Sequence, residues 1–483
     1  MNTTRTLVGA SLLLAGFCAP AMADTSCPVD PSWLSSPSMP TEVKQSAGPG
    51  DSTFCDFYQF STQAYLYLMS QNSQGQRNFM DPSQYAVLEF DNQGNPANSC
   101  DATVTGPTLR TSLDKADSTS ISTEQAGDGA TIYAQDGNVV YYDVRFNKAM
   151  CNLSGSAVEL QKQNLINFPG GTTEIKAAWK VLSASEISSG NFVTQPLTIS
   201  GQPQTLGLVG MHIAIATPDH PEFIWATFEH QQNSPDCEPQ LVPANSQWTF
   251  ASQSCAAGLT GSLTDPKLNC NFNNPPENQT APTGTPTNIC RVFPYGTGSG
   301  DLKADQNLAA ITAQNSGLDT LLSGSSVPAG MAVLSKYFNV GALWVSNIAQ
   351  SSGGQGVPNE RGSLRLANTV AETTFQHVNL NSASFASNCF GCHNFVGTGQ
   401  TVNNNITSQN LSHTFLDIVI GKGEAIDVTS TTPIGSNSAA QGICQGTTAN
   451  PGVCPNAASN LKWNGQWTNI NSSAGSVCGC VAQ

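Results

Sequence analysis

Residues 211–230 read MHIAIATPDHPEFIWATFEH. Ile213 and Ile215 alternate with Ala214 and Ala216, Pro218-Asp219-His220-Pro221 supplies a turn, and Phe223 to Phe228 runs back. This pattern predicts an antiparallel β-hairpin. With the turn centred on residues 219–220, His212 stands opposite the neighbourhood of Thr227 and Glu229. A buried, hydrogen-bonded histidine is the plainer reading of His212, and a place in a binding pocket is the sharper one. His220, in the turn, reads as solvated and inert, and His230 simply ends a strand.

Working outward, residues 85–91 and 131–145 read as strands, the second a hairpin turning at Asp136-Gly137-Asn138. Glu174 to Leu182 is ambiguous between strand and helix, and further strand signals follow between 192 and 250. Ser52 to Ser70 predicts a helix, since Phe54, Phe57, Tyr58, Tyr65 and Leu68 recur at intervals of three and four, with Asp51 or Ser52 as its cap. Helical patterns recur at Asp301 to Asn315 and Ser363 to Gln376, with a strand-like Ala342 to Val345 between them. Beyond Val428 the chain is rich in Ser, Asn, Gly and Cys and reads as an irregular, disulfide-held wrap. The expected fold is α+β: a β-rich N-terminal portion over 24–300, and a more helical, loop-rich C-terminal portion over 301–483.

The N-terminus reads as a signal peptide over residues 1–23. Met1 to Arg5 is a short basic region, Leu7 to Phe17 is apolar, and Ala21-Met22-Ala23 suits cleavage before Asp24. The apolar stretch is too short to span a bilayer. Secretion to the periplasm or outside the cell is therefore expected, where disulfides persist. Of 15 cysteines, Cys18 leaves with the signal and two belong to the motif below, so 15 − 1 − 2 leaves 12, enough for six disulfides. Cys270–Cys290 and Cys444–Cys454 are plausible local loops, and Cys478 and Cys480 each reach elsewhere. Only 11% of the residues are charged, with a net charge of −15. Such an acidic surface excludes a nucleic-acid partner and suits a redox partner with a basic docking patch, or a small uncharged substrate.

Cys389-Phe390-Gly391-Cys392-His393 spells Cys-x-x-Cys-His, the spacing that attaches a c-type haem. Two thiols three positions apart each add to one of the haem's vinyl groups, and the next residue, His393, comes under the iron. One such motif predicts one covalent haem c, against the plainer reading of a redox-active or structural Cys-x-x-Cys followed by an incidental histidine. Phe390, Phe395 and Phe415 are candidates to pack the porphyrin.

The pentad resembles the haem-binding motif of c-type cytochromes. That resemblance implies thioether bonds from Cys389 and Cys392 and a proximal iron ligand in His393. More loosely, LANTVAETTFQ (366–376), the motif, SHTF (412–415) and HPEFIWATFEH (220–230) are similar to large bacterial single-haem proteins known only as cytochrome c family members. That likeness brings no function with it.

Small electron-transfer cytochromes supply a distal methionine downstream of the motif, but the last methionine here is Met331. His413, 20 residues after His393 and flanked by Asn410, Ser412, Phe415 and Leu416, is the first candidate for the second iron ligand. A partner to a haem propionate is its rival role. Met211, His212, Met331 and His377 are further candidates for the ligand, and another ligand such as a tyrosine or lysine, or an open position, are the remaining outcomes. The expected function is periplasmic electron transfer. A peroxidase- or oxygenase-like haem oxidoreductase with an open distal site is the alternative, with His212 or His413 as acid–base residue. A haem-based small-ligand binding module is the third.

Overall fold

The structure is a computed structural model. It describes residues 27–86, 131–150, 168–199, 201–237, 247–259, 270–275, 283–346, 359–378, 383–385, 388–393, 426–430, 461–469 and 476–482. Eight strands form one antiparallel sheet, curled as a half-barrel. They are β1 (Tyr85–Ala86), β2 (Val140–Asn147), β3 (Thr173–Val181), β4 (Thr194–Ile199), β5 (Gln202–Ile215), β6 (Ile224–His230), β7 (Tyr337–Val345) and β8 (Glu360–Gly362). The order is β1-β2-β3-β5-β6-β7-β8, with β4 paired to the first half of β5. The hairpin expected at 211–230 is the β5–β6 pair at the heart of this sheet, and His212 stands opposite Thr227 as its alternation requires. Glu174 to Leu182 resolves as strand. Asp136-Gly137-Asn138 makes the turn before β2, with Gly137 at φ 82° donating its N–H to the Ala134 carbonyl.

Side-chain alternation gives the sheet two different faces. Ile175, Ala177, Trp179, Met211, Ile213 and Phe228 look one way. There they meet α2 (Phe54–Met69) and α5 (Ala304–Leu322). The short helices α1 (Ser32–Ser35), α3 (Ala184–Ser189) and α4 (Gln253–Ala257) lie elsewhere along the chain. Val209 has no partner in the β3 ladder, which passes from Ala178↔Gly210 to Trp179↔Leu208. That bulge keeps Leu208 and Met211 on the helix face although three positions separate them. Thr53, not Asp51 or Ser52, caps α2, receiving the Asp56 N–H at 3.2 Å while its own N–H goes to Asp56 Oδ2 at 2.7 Å. From that start α2 buries Phe57, Tyr58, Phe60, Tyr65, Leu66 and Leu68, each contributing about 1.5–3 kcal/mol.

The expected helical C-terminal portion is overturned. Its one long helix, α5, packs on α2. Otherwise the described residues beyond 301 are mostly strands: β7 and β8 in the main sheet, then β9 (Gln376–Val378), β10 (Ala383–Phe385), β11 (Ile426–Ser430), β12 (Leu461–Asn469) and β13 (Ser476–Ala482). The described residues are β-rich on both sides of position 300, and the two sides share one sheet. The helix read at Ser363 to Gln376 is a strap of turns with a single 3-10 turn, Thr373–Phe375. Its short polar side chains compete for the backbone: the Val370 N–H goes to Asn368 Oδ1, the Asn368 N–H to Glu372 Oε2 and the Thr369 N–H to Glu229 Oε1.

Three disulfides are present among the described residues: Cys27–Cys55, Cys237–Cys290 and Cys255–Cys270. The expected Cys270–Cys290 loop is therefore wrong. The Cys237 N–H bonds the Arg291 carbonyl and brings Cys237 beside Cys290, while α4 offers Cys255 to Cys270. Cys444–Cys454 and the side chains of Cys478 and Cys480 lie outside the described residues. Among the described residues no helix is long and apolar enough to cross a membrane.

Glu229 holds the strap on the sheet. Its buried carboxylate receives Arg291 Nη2 at 2.8 Å, the Thr369 N–H at 2.6 Å and the Thr369 hydroxyl at 2.8 Å, and Arg291 also meets Asp236 at 2.8 Å. Glu229→Ala takes one of two carboxylates from a buried guanidinium and the acceptor from both Thr369 donors, and is expected to cost about 3–5 kcal/mol. Urea unfolding reads this directly; a loss under about 1 kcal/mol would contradict the role given to Glu229.

Candidate functional site

The Cys-x-x-Cys-His pentad lies on the sheet face opposite α2 and α5. Cys389–Cys392 forms a single helical turn, α6, closed by the His393 N–H donating to the Cys389 carbonyl at 2.7 Å. The residue before the motif fixes its place. Asn388 is buried and donates from Nδ2 to Glu360 Oε2 at 2.6 Å and to the Leu364 carbonyl at 3.1 Å. The turn is thereby tied to β8 and to the chain just after it. Phe390 is fully buried among Val144, Phe146, Leu343, Val345 and Leu364, with Cys389 half-buried at the edge of this cluster. The His393 ring is buried and lies 4.8 Å from that of Trp225, centroid to centroid, tilted by 38°.

Polar groups stand on the same face. Cross-strand register sets Glu174, Ala214, Trp225 and Leu343 in one row, and Lys176, His212, Thr227 and Gly341 in the next. Diagonal neighbours in such rows are about 7–8 Å apart. His212 Nε2 lies 2.7 Å from Glu372 Oε1, and Lys176 pairs with Glu174 at 3.5 Å. The His212 and Glu372 side chains keep 16% and 17% exposure, whereas Glu229 nearby keeps none, so this pair meets solvent. The approach is one of charge and proximity, since His212 Nε2 does not meet hydrogen-bond geometry there. His212 is therefore half-buried in the sheet beside Glu372, not the fully buried, hydrogen-bonded histidine of the plainer reading.

The other candidates separate by face. Met211 and Met331 are buried in the helix-side cluster, with the sheet between them and the His393 face, so neither is placed to serve as an iron ligand. His377 lies on β9, opposite Ser384 of β10. His413, Phe395 and Phe415 lie outside the described residues.

His220 is half-buried and not inert. Its ring sits 5.0 Å from Phe57 and its Nδ1 is 2.9 Å from Glu222 Oε1. Burial opposes its charge, but the Glu222 hydrogen bond and the charges of Glu222, Glu42 and Asp219 outweigh that and raise its pKa. His230 stacks on Phe192 at 4.1 Å and contacts the Asn191 carbonyl through Nε2 at 3.0 Å. Burial lowers its pKa to about 4, so it is neutral at pH 7.

Asn388, Glu360, Glu372 and Trp225 were not singled out by the motif reading. Trp225 alone left a trace, because alternation with Ile224 and Ala226 turns it to the face where the motif docks.

The donor set suits a covalent c-type haem: two cysteines at the required spacing and one buried imidazole on an apolar face. A second observation agrees with this fit. Trp225 Nε1 is buried and has no hydrogen-bond partner, a loss of about 1–3 kcal/mol unless a bound group supplies an acceptor. Comparison with protein-family models, with curated proteins and with solved structures finds no match.

The histidines also set an acid limit. Between pH 6.5 and about 4 the unfolded chain takes up a proton that folded His230 refuses, so its contribution to stability falls as pH falls. At about 1.4 kcal/mol per pH unit this amounts to about 3 kcal/mol across the window. His230→Gln is expected to remove that part of the slope in urea unfolding measured at several pH values. Parallel wild-type and variant slopes would contradict it.

Proposed function

We propose that this chain is a secreted, single-haem c-type protein in which Cys389 and Cys392 attach the haem, His393 is the proximal iron ligand, and the haem carries single electrons between partners outside the cytoplasm. One observation carries the reading: the pentad forms a closed helical turn whose histidine is buried against Trp225 on an apolar sheet face. Attachment adds each thiol across a vinyl double bond, sulfur to one carbon and the thiol proton to the other, so the step consumes no oxidant. When bound, the haem supplies a one-electron couple tuned by its axial ligands and burial. The three disulfides support an oxidising compartment, and the acidic composition supports a redox partner with a basic docking patch.

His413 is the proposed second axial ligand, a role strengthened by the placement of Met211 and Met331 behind the sheet. A specific observation favours a second reading, a haem oxidoreductase acting on a small molecule. The partly open His212–Glu372 pair shares the face of the motif and sets an imidazole and a carboxylate side by side, the residue types that serve general acid–base chemistry.

Two measurements test this. Cys389→Ala is expected to reduce haem retained on the denatured chain, and equal haem staining of variant and wild type would defeat the attachment claim. The dithionite-reduced spectrum is expected to stay sharp and low-spin after carbon monoxide is added, with His413→Ala changing the spin state. A prompt shift of the wild-type spectrum would replace electron transfer with the oxidoreductase reading.

A further inference from the structure

The structure assigns Trp225 as the residue that seats the haem against the sheet: its indole packs on the proximal His393 and its Nε1–H donates to a haem carboxylate. This rests on the haem reading above and adds a role for a residue outside the motif.

The argument starts from what Trp225 lacks. Its side chain is 94% removed from solvent, being 6% exposed, yet its N–H finds no acceptor. Buried donors are normally paired, and an unpaired one is costly. The ring is held in place: Ala214 and Leu343 stand opposite it on the flanking strands, Phe223 lies 5.8 Å away and Phe390 of the motif 6.3 Å away. An indole so confined cannot swing its N–H to water without leaving the sheet. Its other large neighbour is His393, the ligand that defines where the iron lies. A haem held there brings two carboxylates, the acceptors that such a donor needs. Charge-assisted hydrogen bonds to a carboxylate are the strong class, so this pairing recovers what the haem-free chain forgoes.

Two consequences separate this role from mere packing. The N–H offsets part of the carboxylate's negative charge, so removing it favours the oxidised, more positive iron. The tilted ring contact with His393 depends on the ring alone and survives in phenylalanine. Trp225→Phe is therefore expected to keep covalent haem and the absorption spectrum while shifting the reduction equilibrium about tenfold toward the oxidised form, about 59 mV for one electron. Spectroelectrochemical titration of the haem-loaded variant reads this.

A shift below about twofold in a variant that stains normally for haem would overturn the Trp225 assignment and leave the haem reading intact. Wild-type protein that carries no covalent haem would remove both. Should Trp225→Phe fail to fold, ultraviolet resonance Raman of the wild type decides. One of its indole N–H signals is expected to move to the hydrogen-bonded position on going from haem-free to haem-loaded protein, and identical spectra would overturn the assignment.

Discussion

A carboxylate with no access to water organises this molecule. Glu229, on the central strand β6, faces away from the helices and is fully buried, which is tolerable only because three donors converge on it. Arg291 comes from the disulfide-bonded segment that holds Cys237–Cys290, and Thr369 comes from the strap over the sheet. Asn368 adds a bond to Thr227 Oγ1 at 2.8 Å, so consecutive strap residues are pinned to β6. Everything downstream takes its position from this anchor. Glu372 follows four residues later and reaches His212. The segment then passes β9 to Asn388, which hangs the motif on Glu360.

The division of labour between the two faces follows from the same sheet. The face toward α2 and α5 is aromatic and aliphatic. Stacked pairs such as Tyr65 with Phe228 and Phe57 with Trp344, at 4.0 Å and 3.9 Å, make it a packing surface. The other face mixes an apolar seat for the motif with the ionisable groups Glu174, Lys176, His212 and Glu372. An antiparallel sheet permits this because neighbouring positions along a strand belong to different faces: Met211 serves the core and His212 the site. One covered face lends rigidity to the other, which is what a ligand needs if its orientation is to persist.

Much of the sheet was legible because its rules are local. Alternation and the Pro-Asp-His-Pro turn specify the β5–β6 hairpin and even the His212–Thr227 register. The strap was not legible, because residues 363–376 have helical apolar spacing while the groups that unwind them, Glu229 among them, lie on a distant strand. Cys270 and Cys290 fail for a related reason. Their closeness in sequence suggests a loop, but bonds from Cys237 and α4 redirect both. His220 looks like a turn residue and becomes half-buried because Phe57 of α2 arrives over it. The motif announced its cysteines and histidine, whereas Trp225 and Asn388, which position it, lie 164 residues and 1 residue before Cys389, the first far away in sequence and the second without any distinguishing pattern.

The most direct test of the haem assignment is stoichiometry on the mature protein. The chain is produced in a host that matures c-type cytochromes, denatured, and extracted with acidified solvent to strip any haem not covalently held. The pyridine haemochrome spectrum of what remains counts the rest. One haem per chain is the predicted result. A chain recovered colourless, with correct disulfides and intact fold before denaturation, would contradict it and leave Cys389 and Cys392 to some other thiol chemistry.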